Sequence, residues 1–211
     1  MESKVQLRKD TEEQLLKRLD GMEQRIKSPE FRQRTATTNT VNYWVFDYNA
    51  KQELIVRERI AYIKKKNNEM LDGYKLYVID LYELMIQHLE NNGYIDLCKG
   101  FETTQGLDYL ITAVKNSLQL TGDLGNNAMV EYITEQVPLD DKSVVFLIGV
   151  GKCFPLLQGP EVFNQILYNM PDEYHTVPII MFYPGTYTEQ ELIIFNELEE
   201  DNYYRAYRIM R

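Results

Sequence analysis

Cysteine is scarce. The 211 residues hold two, Cys98 and Cys153, too few for a disulfide scaffold and in keeping with a reducing compartment. Histidine is equally scarce, and His88 and His175 stand with the two cysteines at no zinc-ligand spacing. No apolar run nears the ~20 residues of a membrane span, and the charged first 20 residues lack the apolar core of a signal peptide. A cytoplasmic protein is expected. Basic residues are scarce in one half: residues 101–204 carry 3 basic and 16 acidic groups, whereas 1–40 carry 9 and 7, 41–100 carry 8 and 9, and 205–211 carry 3 and 0. The chain as a whole carries a net charge of −9, and its acidic half repels phosphate backbones and anionic membranes, because counterion release needs clustered Lys and Arg. Direct DNA binding through the basic patches at Lys64 to Lys66 and Arg205 to Arg211 is one option, but tight binding is not expected and a basic or polar protein partner fits better.

What is present is an ordinary folded composition, 44% hydrophobic and 12% aromatic, which excludes wholesale disorder. Leu15, Leu16, Leu19, Met22 and Ile26 recur at helical spacing and predict an N-terminal helix that Ser28-Pro29 ends. Residues 1–40 are read as that helix plus a connecting segment, and 41–211 as a single α/β domain. Tyr43 to Tyr48 reads as a first strand, followed by a helix from Asn49 that closes at Lys64 to Lys66. Tyr74 to Ile79 reads as a second strand, with Asp80 capping the next helix. Residues 94–140 look helical in pieces, broken by a loop at 122–127. The continuous apolar run Ser143 to Val150 predicts a strand covered on both faces. Pro160 and Pro171 bracket a helix, and Val177 to Tyr183 reads as a fourth strand. Thr188 with Glu191 resembles a capping box before Leu192, Phe195 and Leu198, which predicts a helix, and Tyr203 to Ile209 suits a last strand. The alternation gives an α/β three-layer sandwich with a mostly parallel sheet of about five strands, P-loop-like or Rossmann-like without the phosphate loop, plus the N-terminal helix.

Open α/β sheets bind ligands at the carboxyl ends of their strands. Those positions are Asp47-Tyr48, Asp80-Leu81, Gly149 to Cys153 and Tyr183-Pro184-Gly185. Gly149, Gly151 and Lys152 most resemble a phosphate loop, and a nucleotide-binding enzyme with a degenerate loop is the alternative reading of the chain. A Walker A loop needs a Gly five positions before its Gly-Lys pair and then Ser or Thr for magnesium. Phe146 and Cys153 stand there, and Pro155 follows, so a tight strand-to-loop turn is expected instead. Cys153 beside Lys152 lacks an assignable base and reads as a packing residue. Asp47 and Asp80 read as helix caps rather than magnesium ligands or bases. No catalytic residue, metal or cofactor is assigned.

The partner-binding candidates are Tyr183, Pro184, Gly185, Glu199, Glu200, Asp201, Asn202, Tyr203, Tyr204 and Arg205. Glu197, Glu199, Glu200 and Asp201 would close a helix with negative charge, a cost that a basic partner relieves. Tyr and Arg are enriched at interface hot spots, although Tyr204 and Ala206 could equally face a core.

Val144 to Leu157, Pro178 to Tyr187 and Asp201 to Tyr207 together resemble the BrxB family of bacteriophage exclusion (BREX) defence loci, and Phe46-Asp47-Tyr48, Glu53 to Glu58 and Val78 to Tyr82 extend the likeness over most of 40–209. Two positions depart from the family pattern: Gln158, where Arg is usual, and Thr188-Glu189, where Asp-Gly is frequent. The resemblance implies a cytoplasmic, non-catalytic accessory component of an anti-phage system that methylates host DNA and blocks phage replication. It implies other BREX proteins as partners, chiefly the alkaline-phosphatase-superfamily protein PglZ and, through it, the methyltransferase PglX.

Overall fold

The computed structural model describes residues 9–33, 42–70, 73–120, 127–188, 192–194, 198–200 and 206–210. Helix α1 (Glu12–Lys27) opens on a capping box in which the Thr11 side chain accepts from the Gln14 amide and the Gln14 side chain accepts from the Thr11 amide. Satisfying two amides this way fixes where the helix begins. Its stripe of Leu15, Leu19, Met22 and Ile26 is buried, while Leu16 is exposed. A five-residue helix α2 (Pro29–Gln33) follows.

Strand β1 (Tyr43–Tyr48) leads to a single 3-10 turn at Ala50–Gln52, capped by Asn49, and then to α3 (Glu53–Glu69). Asn49 therefore caps the turn and not the long helix, which starts four residues later than its sequence signal. Next come β2 (Lys75–Asp80) and α4 (Leu81–Asn91). The segment expected to be helical in pieces forms α5 (Ile95–Gln105), α6 (Leu107–Ser117) and α7 (Ala128–Gln136). Strand β3 (Ser143–Ile148) ends in the one-turn helix α8 (Val150–Cys153), and α9 (Gly159–Asn169) leads to β4 (Ile179–Tyr187).

Five strands form the parallel sheet in the order β2-β3-β4-β1-β7, where β7 is the short Tyr207–Arg208. Parallel pairing runs in register through Tyr43↔Ile179 to Tyr48↔Pro184 and through Lys75↔Ser143 to Asp80↔Ile148. The α/β sandwich expected from the strand–helix alternation is the one observed. Alternation along each strand sorts the core into two layers. Trp44, Phe46, Val144, Phe146, Ile180 and Phe182 face α1 and α3. Tyr43, Val45, Val145, Leu147, Ile179 and Met181 face α4, α6, α7 and α9. Phe182 anchors the first layer, its ring centroid 5.4 Å from that of Phe46 and 4.9 Å from that of Phe146.

Two expectations need correction here. Residues 192–194 and 198–200 are strands, β5 (Leu192–Ile194) and β6 (Leu198–Glu200), rather than parts of a helix. β5 pairs antiparallel with the end of β4 (Gly185↔Ile194, Tyr187↔Leu192), and β6 pairs with β5. The Thr188/Glu191 spacing is a local signal only. The β-branched pair Ile193-Ile194 is better served by a partner strand, and tertiary pairing overrides the helical pattern. For the same reason Tyr183, Pro184 and Gly185 do not lie after the fourth strand but inside it. The loop expected at 122–127, apart from Asn127, and the first three residues of the last strand expected over 203–209 fall outside the described residues; of the remaining 206–209, Tyr207–Arg208 is strand.

Candidate functional site

The crevice that an open α/β sheet offers to ligands lies between adjacent strands whose outgoing connections diverge. Here those strands are β1, whose chain crosses to β2 at one edge, and β4, whose chain goes on to β7 at the other. Asp47 stands at the carboxyl end of β1 and is fully buried. It is not the helix cap its position suggests. Arg18 of α1 donates from Nη2 to Asp47 Oδ1 at 2.8 Å and from Nη1 to the Asp47 carbonyl at 2.9 Å. On its other oxygen, Asp47 accepts from the Tyr187 amide and from Arg208 Nη2, both at 3.2 Å. Arg18 Nη1 also reaches Asp10 at 2.6 Å, and its guanidinium lies 4.6 Å from the centre of the Phe46 ring. A buried carboxylate is tolerated only when paired and hydrogen-bonded, and the chain supplies both. The switch-point crevice is thus filled by α1, the end of β4 and the 206–210 segment.

The second candidate lies at the carboxyl ends of β2 and β3. Asp80 caps α4 by accepting from the Tyr82 and Glu83 amides at 3.1 and 3.4 Å. Its other oxygen receives Lys152 Nζ, which also lies 3.8 Å from Glu83 and 5.8 Å from the centre of the Tyr82 ring. Gly149 has φ +80° and sits so close to Asp80 that a Cβ would overlap its Oδ1. Only glycine fits both the left-handed backbone and the contact. The expected strand-to-loop turn is a strand-to-helix turn, with Gly151 and Lys152 inside α8. The lysine that a phosphate loop would turn toward its ligand is here held by a carboxylate, which leaves the pair close to neutral.

Cys153 is buried beneath this turn. Burial, with a smaller contribution from Asp80, pushes its thiol up to about 12 despite the nearby Lys152, so it is no nucleophile near neutral pH. The histidines are elsewhere: His88 Nε2 lies 2.9 Å from the Ser117 carbonyl, and His175 packs edge-on against Tyr43. Among the described residues no three His, Cys, Asp or Glu side chains converge on a point that could hold a metal ion. Among them, too, no helix is long and apolar enough to cross a membrane.

The partner-binding candidates are dispersed. Tyr183, Pro184 and Gly185 are buried in β4, since pairing to β1 and β5 encloses them; they do not form an accessible surface, contrary to expectation. Glu199 and Glu200 belong to β6, so the acidic run does not close a helix. Asp201, Asn202, Tyr203, Tyr204 and Arg205 lie outside the described residues. Tyr207 is exposed beside Trp44, with ring centroids 5.6 Å apart. Sequence reasoning missed Arg18 and Arg25. Both fall on the buried face of α1, at i+3 from Leu15 and Met22, and a cation inside an apolar stripe is the signal that could have found them. Arg25 stacks 4.6 Å from the centre of the Trp44 ring and donates to the Ile209 carbonyl.

Comparison with known proteins bears on this geometry. The family model described as "BREX protein BrxB" matches residues 77–209. A BREX protein BrxB of Bacillus cereus (strain H3081.97) is 37% identical over 195 residues, covering 92% of this chain and 96% of the relative. One of Escherichia coli O9:H4 (strain HS) is 28% identical over 193 residues, covering 92% and 90%. No solved structure matches the chain significantly. The resemblance read from the motifs at 144–157 and 178–207 is therefore upheld over nearly the whole length, and the chain belongs to the BrxB family of BREX anti-phage defence proteins.

Proposed function

We propose that this chain is a non-catalytic accessory component of its BREX system, a protein-binding scaffold that works in the cytoplasm. Its partners are other BREX proteins, chiefly PglZ and, through it, the methyltransferase PglX. One observation carries the reading: at both strand-end positions where an α/β sheet would present reactive groups, those groups are spent on internal pairs, Lys152 with Asp80 and Asp47 with Arg18 and Arg208. The acidic 101–204 half, with Glu199 and Glu200 on β6 and with residues 201–205, supplies the contact surface. Its charge favours a basic partner surface.

The test is co-purification of the tagged chain with the other proteins of its locus. Charge reversal at Glu199, Glu200 and Asp201, or Tyr203→Ala with Arg205→Ala, abolishes capture while the far-UV spectrum and melting temperature stay unchanged. Undiminished capture removes that surface. Micromolar binding of ATP with magnesium, lost in Lys152→Ala, would overturn the scaffold reading in favour of a nucleotide-binding enzyme.

A further inference from the structure

Helix α5 is the least buried long helix among the described residues. None of its side chains is buried, although it carries Ile95, Leu97, Cys98 and Phe101. Ile95 and Cys98 rest against the large core cluster and attach the helix. Tyr94, Leu97 and Phe101 follow at i, i+3 and i+7, so they form a second, outward stripe beside that seam. α6 extends it. The two helices fold back on each other through Gly106 alone, which takes φ +84° and lets the Phe101 and Tyr109 rings meet edge to face at 5.0 Å. Leu97 is 53% and Tyr109 49% exposed. An apolar stripe with an aromatic pair at its end has the form of a surface that receives a helix.

Charge decides what covers it. Glu102 and Asp108 adjoin the two rings along the chain, both are exposed, and neither has a salt bridge among the described residues. The nearby Lys99 is already engaged by Asp96 at 2.9 Å. A second copy of this chain would bring the same two carboxylates and the same net charge of −9, so like charges would oppose self-association. We propose that the α5–α6 stripe is the docking site for a basic amphipathic helix of another polypeptide in the defence assembly. Leucine-type anchors on the guest helix cover Leu97 and the Phe101–Tyr109 pair, and its Lys or Arg residues meet Glu102 and Asp108. This inference rests on the scaffold reading above and places its contact on a surface distinct from the hairpin of β5 and β6.

The experiment uses the full chain co-expressed with the other proteins of its locus, with p-benzoylphenylalanine replacing Leu97 or, as a control, the exposed Leu54 on α3. Irradiation at position 97 yields cross-links to a Lys- or Arg-rich segment with apolar residues at i, i+3 or i+4 in another locus protein, and position 54 does not. In parallel, Leu97→Glu lowers the captured partner about tenfold or more, the usual effect of losing a central anchor, and Glu102→Lys with Asp108→Lys lowers it as well. Cross-links only to a second copy, to segments without basic residues, or to nothing at all overturn the proposal. So does full capture by Leu97→Glu. If the unaltered chain captures its partners while Leu97→Glu does so equally well, this surface fails and the scaffold reading stands; if the unaltered chain captures no locus protein, the scaffold reading fails too.

Discussion

Arg18 and Asp47, 29 positions apart in sequence, meet at 2.8 Å inside the protein and fasten the first helix to the end of the first strand. Both side chains are nearly inaccessible, Arg18 at 8% and Asp47 at 0%. Removing the cation leaves a buried carboxylate with less of its compensation. Arg18→Met is expected to destabilise the fold by about 3 kcal/mol or more, read from urea unfolding. In an Asp47→Asn background the same change costs markedly less, and equal costs in the two backgrounds would show that the pair is not coupled.

Gly149→Ala tests the turn above β3. The substitution strains a backbone at φ +80° and drives a methyl into Asp80 Oδ1, so a loss of about 2 kcal/mol or more is expected. Asp80→Ala relieves the overlap but not the backbone strain, so the double variant recovers only part of the loss relative to Asp80→Ala alone. Thermal melts of the four proteins measure this.

Glu23 predicts an acid-sensitive contact between α1 and α3. Burial opposes its ionisation, yet Lys66 and Lys27 outweigh burial and hold its pKa below the ordinary 4.5, and Arg59 adds a further contact at 2.8 Å. With a folded pKa lower than the unfolded one, the stabilisation is complete above about pH 4.5 and is lost as pH falls through the folded value. The stability difference between the unaltered chain and Glu23→Gln therefore shrinks on acidification below that point. A difference independent of pH would refute the assignment.

Thiol chemistry separates the two cysteines. Cys98 is half-buried with its pKa raised by burial, whereas Cys153 is buried and shifted further, to about 12. Near pH 8 a disulfide reagent should label Cys98 in the native chain and Cys153 only at the rate of unfolding. Prompt labelling of both would show that the α8 turn opens readily.

Much of this architecture is written in local pattern. Ser143 to Val150 reads as a strand covered on both faces because the run after Ser143 is continuously apolar, although the strand itself ends at Ile148, and Asp80 reads as a cap because the α4 stripe begins immediately after it. Misreadings arise where distant partners outweigh local chemistry. Tyr183-Pro184-Gly185 has turn composition, yet β1 holds Tyr183 and Pro184 and β5 holds Gly185, so the strand continues through them. Asp47 has the position of a cap, but its partners Arg18 and Arg208 come from opposite ends of the sequence. Nothing in its neighbours forecasts that. The outward stripe on α5 was hidden for another reason: periodicity reports that a helix has an apolar side, not whether the rest of the fold covers it.

The parallel pairing of Trp44 with Tyr207 and the hydrogen bond between Arg18 and the Met210 carbonyl, 192 positions apart, also set the timetable of maturation. A ribosome releases the first helix and the first strand long before the segment that joins them, so β1 waits with an open edge and Arg18 with one acceptor missing. Such long-range closure slows folding. Chains cut short before residue 206 should keep that edge bare and be captured by chaperones or aggregate.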